Sequence, residues 1–108
     1  MSELPQERAS IPIQIASESL AEFCRRHRIS RLALFGSVLR DDFTPESDVD
    51  VLVEFDSSAR LTLFDLARVE NELSDVLGRQ VDLHEARSLQ GAIRERVLET
   101  ARQVYVAA

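Results

Sequence analysis

The chain has 108 residues, 44% hydrophobic and 30% charged, with a formal net charge of −6 in which every basic residue is an arginine. That length makes one domain with a real core; the acidic balance excludes capture of nucleic acid by a broad basic face, and with no apolar run of about 18 residues no membrane helix is expected. The single cysteine, Cys24, excludes an internal disulfide, and the N-terminus MSELPQERAS lacks the apolar stretch of a secretory signal, so a cytoplasmic protein is expected.

Residues 1–11 are polar and read as a loose tail, leaving 12–108 as the domain. Ile13, Ala16, Leu20, Phe23 and Cys24 recur on one face of a helix over about 13–27, with Pro12 near its first turn. Arg31 to Phe35 is a short apolar run ended by Gly36, a strand, and Ser37 to Asp41 suits a helical turn. Thr44-Pro45-Glu46-Ser47 has turn chemistry, and the valine-rich run Val49 to Phe55 predicts a second strand. After the loop Asp56-Ser57-Ser58, Thr62 caps a helix with Asp65 three residues on, as a weaker capping box. Leu66, Val69, Leu73 and Val76 line its buried face, and Gly78 ends it. Gln80 to His84 reads as a third strand. Ser88 is the expected cap of a last helix, with Leu89, Ile93 and Val97 on one face, and Gln103 to Val106 as a final strand. The sum is an α/β (α+β) domain: a small mixed sheet with helices packed on it.

Within this pattern Asp48 and Asp50 stand at the head of the second strand. Residues two apart in a strand face the same way, so these carboxylates share one side and Val49, Val51 and Val53 the other. Like charges so placed raise each other's affinity for a proton unless a cation neutralises them, and oxygen donors suit Mg²⁺ or Mn²⁺. Asp82, flanked by Val81 and Leu83, is a third carboxylate on a separate strand. If that strand lies beside the second, the three converge and could hold two ions about 4 Å apart, the spacing used for in-line displacement at phosphorus. Gly36 and Ser37 follow a strand and precede a turn, where free backbone N–H groups and the hydroxyl can hold phosphate oxygens; Arg40, one turn on, adds a forked donor set. Taken singly each feature has an ordinary reading, Gly-Ser as a turn and Asp-x-Asp as a solvated strand end. The combination G-S-x(10)-D-x-D is what carries weight.

The stretch LFGSVLRDDFTPESDVDVLV, with Arg40 and Asp42 between its two ends, resembles the signature of the nucleotidyltransferase superfamily that includes DNA polymerase beta, in its minimal (MNT) form. VDLHE is similar to the strand that carries that family's third carboxylate, and the resemblance runs from about Ile13 to the C-terminus. It implies the nucleotidyltransferase fold. Gly36 and Ser37 would hold a nucleoside triphosphate; Asp48, Asp50 and Asp82 would be catalytic and ligate two Mg²⁺ ions, with Mn²⁺ as an alternative. The reaction would transfer a nucleoside monophosphate from ATP to a hydroxyl, releasing pyrophosphate. Small stand-alone MNT proteins of the MntA type are often antitoxins paired with a HEPN-domain RNase toxin, and some add AMP to a tyrosine of that toxin. The resemblance therefore implies an antitoxin enzyme in a hetero-oligomer with a HEPN toxin, and no direct binding of nucleic acid. Larger members carry a second domain that holds the acceptor; with none expected here, a partner protein takes that part. The other readings are a non-catalytic antitoxin that masks its toxin by contact, and transfer to a small molecule.

Remaining residues take plainer readings. His84 shares the face of Asp82, where a metal or proton role is imaginable, but a structural histidine is the favoured reading. Glu85 falls on the opposite face, so Asp82 is the preferred third carboxylate. Cys24 and Tyr105 are expected to pack, and Asp41, Asp42 and Glu46 belong to a solvated turn.

Overall fold

The structure, a computed structural model, describes residues 15–39, 44 and 46–107, with the side chains of Ser37 and Val38 outside that set. The tail over 1–11, Pro12, Ile13, Arg40, Asp41, Asp42 and Pro45 also lie outside it. The described elements are α1 (Ser17–Arg26), β1 (Ile29–Phe35), a 3₁₀ turn (Gly36–Leu39), β2 (Val49–Phe55), α2 (Leu63–Leu77), β3 (Val81–Glu85), a second 3₁₀ turn (Ala86–Ser88), α3 (Gly91–Thr100) and β4 (Arg102–Val106). The strands form one mixed sheet in the order β3-β2-β1-β4. β1 runs antiparallel to both β2 and β4, while β2 and β3 are parallel. Parallel neighbours need a crossover connection, and α2 supplies it.

Alternation along the strands sorts side chains to two faces. On one, Leu20, Phe23 and Cys24 of α1 and Val69, Leu73 and Leu77 of α2 cover Leu32, Leu34, Val49, Val51, Val53 and Val81. Each such aliphatic side chain contributes about 1.5–3 kcal/mol when fully buried, and this layer anchors the sheet. Cys24 belongs to it as a fully buried residue, and burial pushes its thiol up to about 12. The opposite face carries a smaller cluster, Ala33, Leu52, Ala86 and Val97, with Phe35, Leu89 and Ala101 packed on it. That cluster covers only part of the sheet, and polar residues occupy the remainder of this face.

The ends of α2 follow from sequence. The Asp65 amide donates to Thr62 Oγ1 at 3.1 Å and the Thr62 amide to Asp65 Oδ2 at 2.9 Å, a reciprocal capping box. Gly78 closes the helix with φ +70 in the left-handed region, where glycine is free of strain. α2 also seals the outer edge of the sheet. The Val81 amide donates to Ser74 Oγ at 3.0 Å and the Leu83 amide to Glu70 Oε2 at 2.8 Å.

The structure departs from sequence expectation at several boundaries. α1 starts at Ser17, not near Ile13; Ile15 and Ala16 are non-helical, although Ile15 still packs on the core. β1 begins two residues early, at Ile29, where Arg28 with φ +61 reverses the chain after α1. β3 spans Val81–Glu85, shifted by one residue. The largest correction concerns α3. Ser88 ends the second 3₁₀ turn and caps nothing; Leu89 is extended, Gln90 is the N-cap, and Ile93 is 67% exposed. Val97 and the half-buried Arg94 mark the inward face instead, with Arg94 Nη1 donating to the Ala86 carbonyl at 2.7 Å.

Candidate active site

The parallel pairing of β2 with β3 aligns Asp50 with Asp82, and Leu52 with His84. Both acidic residues face away from the valines beside them, onto the thinly covered side of the sheet. On the other flank of β2, Phe35 of β1 pairs with Asp50, so Gly36 arrives directly beside that carboxylate. Gly36 has φ +79, and a Cβ built there would run into Asp50 Oδ2. The strand-to-turn junction is thus molded around the acid: only a residue without a side chain lets the 3₁₀ turn start so close to it. Asp48 is exposed and immediately precedes β2.

His84 completes the group. Its Nε2 lies 3.3 Å from Asp82 Oδ2 and 3.6 Å from Asp50 Oδ1. Phe35 meets the imidazole edge-on, with ring centroids 5.2 Å apart. Asp50, Asp82 and His84 each present a donor atom within 4.8 Å of the others. The carboxyl of Asp50 is pushed above the ordinary carboxylate range first by burial; the neighbouring charges of Asp82 and Asp48 push the same way, against the attraction of His84. The ionised site is therefore under electrostatic tension that a cation would relieve.

This geometry brings together Gly36, Asp50 and Asp82 as the spacing predicts, and the charge of Asp48 reaches them. The backbone of Ser37 lies in the 3₁₀ turn that starts at Gly36; its side chain, and all of Arg40, lie outside the described residues. Glu85 falls on the opposite face and pairs with Arg87 at 3.5 Å. His84, for which the sequence favours a structural role, stands within this group. Its shared face with Asp82 was legible from alternation, but its reach across to Asp50 depends on the β2–β3 register. Sequence reasoning missed Arg96 and Arg102, which line an open groove together with Phe35, Gly36 and Leu39. These cations come from α3 and β4, distant in sequence from the Gly-Ser turn.

A donor set of two carboxylates and an imidazole nitrogen fits a divalent cation. Comparison with known proteins finds the following likenesses. The profile of the nucleotidyltransferase domain matches residues 16–104. The protein adenylyltransferase MntA of Thermococcus cleftensis is 35% identical over 85 residues, 79% of this chain and 82% of that protein. A solved structure described as a "putative minimal nucleotidyltransferase" is 36% identical and matches with a TM-score of 0.65, covering 93% of this chain and 94% of that one. A complex of a tri-AMPylated Shewanella oneidensis HEPN toxin with its MNT antitoxin contains a chain of like fold, with a TM-score of 0.60 at 20% identity, over 84% of this chain and 70% of that one.

Proposed function

Because the chain belongs to the nucleotidyltransferase-domain family, we propose that it transfers AMP from ATP to a tyrosine hydroxyl of a partner HEPN RNase toxin, and so acts as that toxin's antitoxin. The observation that carries the reading is the alignment of Asp50 with Asp82 across β2 and β3, with the turn at Gly36 held directly against the Asp50 carboxylate. The acceptor class is supported by the likenesses: one relative is a protein adenylyltransferase, and a chain of like fold occurs in a complex of an MNT antitoxin with an AMPylated HEPN toxin.

In this reading the turn that begins at Gly36 receives the triphosphate. Backbone N–H groups of Gly36 and Ser37 and the Ser37 hydroxyl donate to its oxygens, with Arg40 adding a further donor. Asp48, Asp50 and Asp82 would hold divalent cations, Mg²⁺ or Mn²⁺, whose chemistry is to neutralise developing charge on the phosphates and favour ionisation of the attacking hydroxyl. Asp82, 53% exposed at its side chain, stands at the mouth of the site, where an incoming hydroxyl arrives. It takes the proton as the tyrosine oxygen bonds to the α-phosphorus. The bond from that phosphorus to the bridging oxygen breaks, and pyrophosphate leaves with the electron pair. Ser37→Ala is expected to weaken nucleotide binding by about 1.5–3 kcal/mol, the value of a hydrogen bond to a charged group.

The test is mass spectrometry of the HEPN toxin recovered from cells that also make this protein. The toxin should be heavier by one or more adenylate units and inactive. With the Asp48→Ala, Asp50→Ala double variant it should keep its unmodified mass and its toxicity, while the variant stays folded. A double variant that protects cells as well as wild type, with no change in toxin mass, would replace catalysis by masking through contact.

A further inference from the structure

His84 has no task in the adenylyl-transfer reading, yet it occupies the centre of the site. Its Nε2 is inaccessible to solvent and, among the described residues, forms no hydrogen bond, although two carboxylate oxygens lie 3.3 and 3.6 Å away. A buried polar atom without a partner calls for an explanation, and an ion bound between the groups is one of the few available. The two spacings from Nε2 fit it. With bonds of about 2.0–2.2 Å from metal to nitrogen or carboxylate oxygen, neighbouring donors of one cation stand roughly 3.0–3.6 Å apart. The ring is not adrift. Strand alternation sets its side, the pairing of Leu52 with His84 sets its height, and the edge-on contact with Phe35 fixes its plane.

We propose that His84 Nε2 is a third donor to the divalent cation held by Asp50 and Asp82, and that this nitrogen makes the site select Mn²⁺ or a later first-row metal over Mg²⁺. The proposal rests on the metal-dependent reading given above and deepens it. Mg²⁺ is a hard ion that keeps to oxygen ligands, whereas imidazole nitrogen suits the transition metals. A site of carboxylates alone would leave the choice to ion abundance; a nitrogen at bonding distance tilts it.

The experiment uses the full chain stripped of metal. Mn²⁺ and Mg²⁺ are titrated separately into wild type, His84→Leu and His84→Gln, and the electron spin echo of bound Mn²⁺ is recorded. Wild type should bind Mn²⁺ more tightly than Mg²⁺ and show modulation from an imidazole nitrogen. His84→Leu should lose that modulation and bind Mn²⁺ about 10- to 100-fold more weakly, a loss seen even for partners one shell further from a metal. Its Mg²⁺ affinity should be unchanged. His84→Gln, which offers an amide oxygen, should fall between for Mn²⁺ and show no imidazole modulation. Absence of nitrogen modulation in wild type overturns the proposal, as does an unchanged Mn²⁺ affinity in a folded His84→Leu. Should the leucine variant fail to fold, the wild-type spin echo decides alone. Imidazole modulation in a protein that never modifies its toxin would sink the adenylyl-transfer reading and leave this one standing. Toxin modification supported by Mg²⁺, with no nitrogen on Mn²⁺, would do the reverse.

Discussion

Gly36 meets two demands at once: a backbone in the left-handed region and a vacant space where the Asp50 carboxylate sits. The sequence motif places glycine there to let a phosphate approach, and the structure adds that the acid itself occupies the space of a Cβ. Even alanine should therefore be harmful. Gly36→Ala is expected to lose about 1–2 kcal/mol from the left-handed conformation alone, with a further loss as Asp50 is displaced. Denaturant unfolding would measure the first effect and metal titration the second. A variant with wild-type stability and metal affinity would show that the turn is freely adjustable. Asp50 itself behaves in the opposite sense. Its folded-state affinity for a proton is raised by burial and by Asp82 and Asp48, so the fold favours the protonated form. Its favourable contribution is present below the ordinary carboxylate value and fades as pH rises through the raised one. Asp50→Asn removes that charge and is expected to raise the melting temperature in metal-free buffer at neutral pH, with the advantage shrinking in acid. A lower melting temperature at neutral pH would mean that the carboxylate is structural.

At the scale of elements, α2 shows why some of the fold was legible in the sequence. Thr62 and Asp65 stand three apart and each caps the other's backbone, so the pair announces a helix start from sequence alone. Ser88 lacks such a partner, because the residue three on is Gly91. Leu89, Ile93 and Val97, spaced by four, match a helical stripe equally well when the helix starts later and turns Ile93 outward. Nothing local separates the two solutions; the 3₁₀ turn after β3 does. Thr62→Ala is expected to lower stability by about 0.5–2 kcal/mol, as for other N-cap threonines. Asp65 is held below the ordinary carboxylate range by its bonds to the Thr62 backbone and hydroxyl. Its stabilisation is therefore present above the ordinary value and is lost as pH falls through the depressed one. Wild type and Asp65→Asn should differ at neutral pH and converge in strong acid, which unfolding curves across that range would check. Glu70 serves a different element, capping the amide of Leu83 on the edge of the sheet. Its truncation to alanine should cost about 1 kcal/mol and reopen that edge to pairing with a second copy, seen as self-association in sedimentation. A monomer of unchanged stability would show that water replaces the carboxylate fully.

Across the whole molecule, the strands that carry the site were legible but their partnership was not. Alternation assigns Asp50 and Asp82 each to the polar face of its own strand. Only the crossover through α2 makes β2 and β3 parallel neighbours and sets the register that aligns the two acids. The same crossover brings His84 toward Asp50, and the return of α3 and β4 brings Arg96 and Arg102 to the Gly36 groove. The site is thus a property of the folded sheet, since an unfolded chain does not hold these donors within 4.8 Å of one another. A cation that binds the folded form alone stabilises it by mass action, about 2.7 kcal/mol at a free concentration one hundred times its Kd. Adding Mn²⁺ to the metal-free protein should therefore raise its melting temperature in a saturable manner. Asp82→Asn should abolish most of that rise while leaving the metal-free melting temperature close to that of wild type, because Asp82 is exposed and lies outside both apolar clusters. If the variant gains as much from Mn²⁺ as wild type does, the ion is held elsewhere and the pairing of β2 with β3 does not create a metal site.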